Sequence, residues 1–373
     1  MDPLINVLKN NNDIIGSGPI TNSPLARQGF DKIKINILRD LPDMSGKPTR
    51  WISNKLHQIY KDKVVLIEDE NIDVTLAFYC TVFKAEAFDK IGLLDESFGM
   101  GYGDDVDYCQ RVFIAGYKLA FIPQSYVLHN HRTTFKTIYT EQQIKDTIKA
   151  RVTQCKIRNT LNTNKKKKYI IYTCITGGYD DLLRYKCVNT KECDYVCFSD
   201  TPMPNAPSYW TVVNTKSFAK YLNLEHDLTR LARFFKTHPH LFFPNYQYSM
   251  WVDGNIDLLK DPVEYFKLKP KESFILIPQH PLRDCIYDEI DACKQLKKDD
   301  NQMLDNVKQF LIDEQYPHHI GLVQSGVIVR DHSDPICIDL MEQWWNQIKT
   351  KSKRDQVSFN YLIWKNNLKY SFI

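Results

Sequence analysis

Tyr248-Ser249-Met250-Trp251-Val252-Asp253-Gly254-Asn255-Ile256-Asp257 is the stretch on which the reading of this chain turns. An apolar, β-type run leads straight into Asp253, then a glycine, then a second oxygen-bearing side chain, Asn255. Two oxygen ligands two residues apart, with a glycine to allow a tight turn, suit a hard cation such as Mg²⁺ or Mn²⁺ held beside a diphosphate. The same tripeptide also makes a β-turn, with Asp and Asn as turn formers. Its neighbours decide between the two.

Around this stretch, apolar β-type runs alternate with helical patterns. Strands are predicted over 169–175, 194–198, 210–213, 248–253, 273–277 and 325–329, and helices over 221–237, 286–297, 303–314 and 335–349. The last helix opens on Asp334-Pro335, a good N-cap and first-turn pair, and repeats Ile336, Leu340, Trp344 and Ile348 every four residues. Such alternation predicts an α/β layer structure with a mostly parallel sheet. Ligands then bind beyond the carboxyl ends of the strands.

Three further segments bear on that edge. Thr176-Gly177-Gly178-Tyr179-Asp180 follows the first of these strands, and its glycines let backbone amides approach a nucleotide or phosphate. Arg230 and Arg233, with Lys236 beyond them, lie on the helix preceding the Asp253 strand. They read either as partners of a diphosphate or as a solvated helix face. Asp355-Gln356 opens an apolar helix and reads either as a site pair or as helix capping by Ser352 or Asp355.

Composition narrows the function classes. The 373 residues carry 49 basic and 45 acidic side chains, net +4. Residues 1–160 hold 21 and 19 of them and residues 161–373 hold 28 and 26, so neither half is a basic nucleic-acid module. No stretch approaches the roughly 18 uninterrupted apolar residues of a membrane span. Met1-Asp2-Pro3-Leu4 lacks a charged region followed by an apolar one, so no signal peptide is expected, and the ten cysteines show no Cys-x-x-Cys pair. Buried reduced thiols and a cytoplasmic location are expected. The polar, then cationic, run Asn162–Lys168 reads as an exposed linker between a first domain, 1–161, and a second, 169–373.

Five phrases carry a resemblance. They are Tyr-Thr-Cys-Ile-Thr-Gly-Gly-Tyr-Asp (172–180), Trp-Val-Asp-Gly-Asn-Ile (251–256), His-Pro-Leu-Arg-Asp-Cys-Ile-Tyr-Asp-Glu (280–289), Gly-Leu-Val-Gln-Ser-Gly-Val-Ile-Val-Arg (321–330) and Arg-Asp-Gln-Val-Ser-Phe (354–359). In this order they resemble the plant and bacterial hexosyltransferase-like family known as domain of unknown function 616, some of whose members are called alkaline-ceramidase-like. The layout also resembles glycogenin-like family 8 glycosyltransferases of the GT-A fold, a Rossmann-type architecture. The resemblance implies a nucleotide-sugar donor, a UDP-sugar first among them, a carbohydrate acceptor, and Mn²⁺ or Mg²⁺. Asp253 and Asn255 would stand at the family's Asp-x-Asp metal positions, with Asn replacing the second Asp. Asp355 and Gln356 would line the sugar site, Thr176, Gly177, Gly178, Arg230 and Arg233 the donor site. His280 is either a third metal ligand or a satisfied polar histidine beside a strand end.

In the first domain, Gly99–Arg111 is a Gly-rich, acidic turn opening a helix, on which Asp107 and Arg111 can pair. Leu93-Leu94-Asp95-Glu96-Ser97-Phe98, then Gly103-Asp104-Asp105-Val106-Asp107 and Arg111, resemble the acceptor half of inverting family 2 glycosyltransferases. Residues 14–22 match a mid-domain phrase of that family. The resemblance implies a catalytic base at Asp104 or Asp105, and a metal contact from His129 or His131. About 100 residues of that family, including the uridine pocket, have no counterpart before Met1. A partial GT-A-like domain, inactive alone unless a partner chain completes it or the natural polypeptide begins upstream, and with a strand edge exposed or differently covered, is the expectation.

The function expected is metal-dependent hexosyl transfer by residues 169–373. A decayed carbohydrate-binding or scaffolding protein is the alternative. A hydrolase is the third reading, with no Ser-His or multi-His cluster around Asp253 to support it.

Overall fold

A computed structural model describes residues 2–21, 41, 43, 46–67, 76–99, 101–129, 137–162 and 167–373. The chain divides into two compact units, Met1–Asn159 and Thr160–Ile373.

The first unit contains α1 (Asp2–Asn10), β1 (Ile14–Thr21), α2 (Thr49–Ile59), β2 (Val65–Ile67), β3 (Val82–Phe83), α3 (Glu86–Ile91), α4 (Asp104–Ile114), β4 (Lys118–Val127) and all but the last turn of α5 (Glu141–Asn162). Its sheet runs β2-β4-β1-β3, with β1 and β4 parallel and both outer strands antiparallel. Alternation along the strands builds two cores. Ile14, Ala120 and Ile122 meet Leu4, Val7 and Leu8 of α1, while Ile15, Leu119 and Phe121 meet Ile52, Leu56, Tyr108 and Val112 of α2 and α4. The edges are strands of three and two residues, short enough to discourage pairing with another chain.

The second unit contains β5 (Tyr169–Ile175), β6 (Cys193–Ser199), β7 (Trp210–Asn214), α6 (Lys216–Leu222), α7 (Leu228–Thr237), α8 (Pro239–Phe242), β8 (Tyr248–Val252), α9 (Pro262–Leu268), β9 (Ile275–Ile277), α10 (Ile286–Gln295), α11 (Asn301–Asp313), β10 (Val327–Asp331), α12 (Pro335–Thr350), α13 (Gln356–Lys365) and β11 (Ser371–Phe372). The sheet order is β11-β9-β10-β8-β5-β6-β7. Only β10 opposes its neighbours β8 and β9, and the other strand pairs are parallel. All seven residues of β5 are buried, as befits a central strand covered on both faces. This is the α/β, mostly parallel sheet that the alternation of elements predicted.

Three local expectations change. The helix predicted over 221–237 is two helices. Asn223 adopts a left-handed conformation (φ 57°) that ends α6, and the Asp227 carboxylate caps α7 by accepting from the Arg230 amide. In α12, Leu340, Trp344 and Ile348 are buried but Ile336 is half exposed. A four-residue step advances about 400° around a helix, so a strict repeat of four drifts off the core face. In the predicted linker, 163–166 lie outside the described residues, but Lys167 and Lys168 are anchored. Lys167 pairs with Asp194 at 2.7 Å, and the Lys168 ammonium lies over the Tyr169 and Tyr248 rings. All ten cysteines are unpaired, eight of them buried. Among the described residues no helix is long and apolar enough to cross a membrane.

Candidate active site

Parallel strands bring their carboxyl ends to one edge, and the acidic residues of the second unit gather there. Asp180 lies in the loop after β5, Asp200 directly follows β6, and Asp253 directly follows β8. Because β10 runs the other way, its beginning arrives at the same edge, and the Asp253 amide donates to the Gly326 carbonyl at 2.8 Å. Two glycines make the approach possible. A Cβ on Gly254 would lie 2.9 Å from Ile175 Cγ1, and one on Gly326 would lie 2.7 Å from Ile256 Cδ1.

Asp253 is aimed by its surroundings. Trp251 Nε1 donates to Asp253 Oδ1 at 2.7 Å, and Lys236 Nζ stands 3.6 Å from the same oxygen. Its side chain is 32% exposed, so the carboxylate still faces solvent. Burial pushes the Asp180 carboxyl up, and the charges of Asp253 and Asp181 push it further. A carboxyl raised by the negative charge of a neighbouring carboxylate favours a cation between the two. Asn255 is exposed in the same turn. Hard oxygen donors from Asp253, Asp180 and Asn255 fit Mg²⁺ or Mn²⁺.

Behind this acidic rim lies a buried cationic core. Lys236 is fully buried among Leu231, Phe234 and Phe235 on α7. Its Nζ bonds Asp355 Oδ2 at 2.5 Å and Ser325 Oγ at 3.1 Å, and sits over the Trp251 ring. The Lys236 carbonyl accepts from Tyr172 Oη at 2.9 Å and from Arg330 at 2.6 Å, which fixes this turn of α7 against the sheet. Arg233 Nε stands 3.3 Å from Asp355 Oδ1. Burial works against ionisation of Asp355, yet Arg233, Lys236 and Arg354 outweigh it and hold the carboxyl well below the usual carboxylate range. Burial draws the Lys236 ammonium down, against the pull of Asp253 and Asp355.

Several sequence expectations are corrected by this geometry. Asp355 is 1% exposed and turned inward, so it neither caps α13 nor reaches a sugar; it positions Lys236 and Arg233. Gln356 is half-buried and donates to the Val323 carbonyl at 3.3 Å. Arg230 is not available to a diphosphate. Its guanidinium bonds Asp227 Oδ2 at 2.5 Å, the Ile348 carbonyl at 2.8 Å and the Lys351 carbonyl at 2.6 Å, tying α7 to the end of α12. His280 is engaged within the protein at both ring nitrogens: Nδ1 accepts from the amides of Leu282 and Arg283, and Nε2 lies 3.3 Å from Arg283 Nη2 and 3.7 Å from Glu289. That is the satisfied polar histidine of the two sequence readings.

The glycine loop is exposed at the end of β5, with Gly177 and Gly178 at φ 66° and 60°. The Gly177 amide already donates to Asp200 Oδ1 at 2.8 Å, and Thr176 Oγ1 donates to the Leu228 carbonyl. Lys236 stands in the sequence only as a further cation beyond Arg230 and Arg233, and Asp180 and Ser325 are not selected there as site residues. The available signal for Lys236 was a cation set among the apolar residues of an amphipathic helix. Ser325 fell inside a predicted strand, whereas β10 begins two residues later.

In the first unit, Asp107 and Arg111 do pair, at 3.0 Å. Arg158 bonds Asp107 at 2.8 Å and Asp95 at 2.7 Å. Asp104 and Asp105 lie half-buried in the first turn of α4, and Asp105 Oδ1 accepts from the Val106 amide. The His129 ring stacks on Tyr79. His131 lies outside the described residues.

Comparison with known proteins places these features. Residues 208–372 match the family model of the TOD1/MUCI70 glycosyltransferase-like domain, a span holding four of the five phrases singled out above, all but 172–180. A probable hexosyltransferase, MUCI70 of Arabidopsis thaliana, is 30% identical over 131 residues, 32% of this chain and 22% of that protein. This chain therefore matches less than a quarter of that relative's length. Among solved structures, the apo bifunctional glycosyltransferase WbbM aligns at TM-score 0.37 and 10% identity, over 57% of this chain and 39% of that one. Apo mouse xyloside xylosyltransferase 1 aligns at 0.36 and 12%, over 55% and 84%. Most of the second unit, including Asp253, Ser325 and Asp355, thus lies within a match to a glycosyltransferase-like domain.

Proposed function

We propose that the second unit is a hexosyltransferase, which moves a sugar from a nucleotide-sugar donor to a hydroxyl of a carbohydrate or protein acceptor. The observation that carries this reading is the acidic rim of Asp253 and Asp180 set directly over the buried Lys236–Asp355–Ser325 network. In the transfer the bond from the anomeric carbon to the diphosphate breaks, an acceptor oxygen bonds that carbon, and negative charge accumulates on the leaving nucleotide. Asp253, Asn255 and Asp180 would hold Mn²⁺ or Mg²⁺, whose chemistry is to neutralise that diphosphate. Lys236 and Arg233 add fixed positive charge in a buried, low-dielectric setting, where it acts most strongly on developing anions. Asp355 is a positioning residue that holds both cations in place. The exposed loop at Gly177 and Gly178 gives the nucleotide a close approach to backbone. The donor would be a UDP-sugar in the first instance. For the first unit taken by itself, the resemblance to family 2 enzymes makes Asp104 and Asp105 the candidates for a proton acceptor.

The test is release of nucleotide and transfer of sugar by the whole chain, over a panel of UDP- and GDP-sugars with and without Mn²⁺. Asp253→Asn is expected to lower the rate about 100- to 1,000-fold, the magnitude for losing one preorganised electrostatic group, with little change in melting temperature. Sugar binding that needs neither nucleotide nor metal would favour the binding-protein alternative. Full activity in Asp253→Asn would remove the reading altogether.

A further inference from the structure

A second group of metal-binding side chains lies away from the Asp253 turn. Asp284, Cys285 and Asp288 come from the start of α10, and His318 and His319 from the segment between α11 and β10. The ligand atoms of Cys285, His318 and His319 lie within 4.8 Å of one another, and so do those of Asp284, Asp288 and His319. Cys285 Sγ is 3.9 Å from His318 Nδ1. A tetrahedral zinc with ordinary Zn–S and Zn–N bonds places sulfur and nitrogen about 3.5 Å apart. A contraction of a few tenths of an ångström would therefore close that edge.

The rings are held by packing. His318 stacks on Tyr287, with centroids 4.0 Å apart, and Tyr287 Oη donates to the Tyr316 carbonyl at 2.8 Å. The Gly321 amide donates to the Asp284 carbonyl at 2.9 Å, and His319 itself stands at φ 55°, a left-handed conformation that non-glycine residues seldom adopt. Asp284 Oδ1 lies 2.8 Å from His319 Nδ1. An ionised carboxylate only accepts, so Nδ1 carries the proton and Nε2 keeps its lone pair. This carboxylate–histidine arrangement orients metal-ligating imidazoles. The imidazoles and Asp288 are exposed, whereas Cys285 is 1% exposed, which gives a soft ligand at the base of an open site.

We propose that Cys285, His318 and His319 form a zinc-type metal site, with Asp284 orienting His319 and Asp288 supplying a carboxylate to complete the coordination. Binding forms metal–sulfur and metal–nitrogen bonds and releases the Cys285 thiol proton to solvent; no electron is transferred. The metal would clamp the 316–324 segment to α10. That segment already pairs with the residues between β9 and α10 through His280 N to Leu322 O and Gln324 N to Pro278 O, both at 2.8 Å. It leads directly to Ser325, which bonds Asp355.

The experiment uses the whole chain, stripped with a chelator and titrated with Zn²⁺ against a chromogenic competitor, then with Co²⁺ as a spectroscopic probe. The expected result is one tightly bound Zn²⁺ per chain, and a Co²⁺ form with thiolate charge-transfer and tetrahedral d–d absorption. Cys285→Ser abolishes the charge-transfer band. Asp284→Asn weakens Zn²⁺ binding about 10-fold, as loss of an orienting carboxylate does elsewhere. Because Cys285 is buried, the exposed His318→Gln is the independent check, and it too weakens Zn²⁺. Asp253→Asn leaves both readouts unchanged, which separates this site from the proposed active site. Absence of the thiolate band, or Zn²⁺ affinity unaltered in both Cys285→Ser and His318→Gln, overturns the proposal.

Discussion

Each unit gathers carboxylates and cations at the end of its sheet or helix layer, and the two clusters are built on opposite plans. In the first unit Asp107 is 6% exposed and closed between two arginines. Arg158 reaches Asp95 as well, and Arg111 also donates to the Ile91 and Leu93 carbonyls at 2.9 Å. The charges of this cluster are matched within the protein. In the second unit the cations are buried and the acids Asp253 and Asp180 lie on the solvent side, where burial and the charge of Asp253 raise the Asp180 carboxyl. A closed network holds structure together, whereas an open one keeps unsatisfied charge pointed at a space where a ligand can go. The same residue types at helix starts and strand ends therefore do not carry the same meaning.

The contrast is broken most severely by removing Asp107. Asp107→Ala leaves Arg158 buried with only part of its compensation and should cost about 3 kcal/mol of stability, read as a lower denaturant midpoint, with the transfer rate of the folded protein unchanged. If Asp107→Ala instead spared stability and removed activity, the first unit would be the catalytic one. A smaller effect separates two arginines one helical turn apart. Arg233→Ala should raise the donor KM about tenfold, or about 1.4 kcal/mol, with modest loss of stability. Arg230→Ala should do the reverse, leaving KM alone and costing about 1–2 kcal/mol through the carbonyls it abandons. Equal KM effects would show that the diphosphate reading of Arg233 is wrong.

The smallest effect has opposite signs in the two clusters. In Asp95, burial is outweighed by Arg158 and the hydrogen bonds of Ser97, and the folded pKa lies below the unfolded value. Its contribution is fully present above the unfolded carboxylate value and is lost as pH falls through the folded one. Asp180 is raised, so the native state favours its proton. Its ionisation opposes folding at neutral pH, and the penalty lifts as pH falls below the raised value. Asp95→Asn should therefore destabilise by about 1 kcal/mol at pH 7 and by less at pH 3. Asp180→Asn should stabilise by a few tenths of a kcal/mol at pH 7, since the group is partly solvated. Melting curves at the two pH values check both, and a like-signed pair would erase the distinction between closed and open clusters.

Much of the second unit was legible in its sequence. The run 169–175 is strand β5 to the residue, Asp334-Pro335 does cap α12, and the apolar run into Asp253 does end at the strand edge. The break between α6 and α7 was not read, because one Asn in a left-handed turn and one capping Asp leave only a faint mark in an otherwise helical pattern. The resemblance drew attention to Asp355 and His280 as ligand-contacting groups. Their actual partners, Lys236 for one and the Leu282 and Arg283 amides for the other, had to come from the fold.

What the sequence by itself determined is the order of strands and helices and the position of Asp253 at a strand end. These follow from local periodicity, caps and turns, which act over a few residues. What only the tertiary structure decided is which charge meets which. Lys236 and Asp355 are 119 residues apart, and Arg230 and the Ile348 carbonyl 118. Arg230 and Arg233 are alike in sequence context, yet one is consumed by α12 and the other faces Asp355. The single reversed strand β10 brings Ser325 and Gly326 to the acidic edge. Coulombic and hydrogen-bond pairing depends on distances of a few ångströms, and between residues this far apart in the chain those distances exist only once the sheet has assembled.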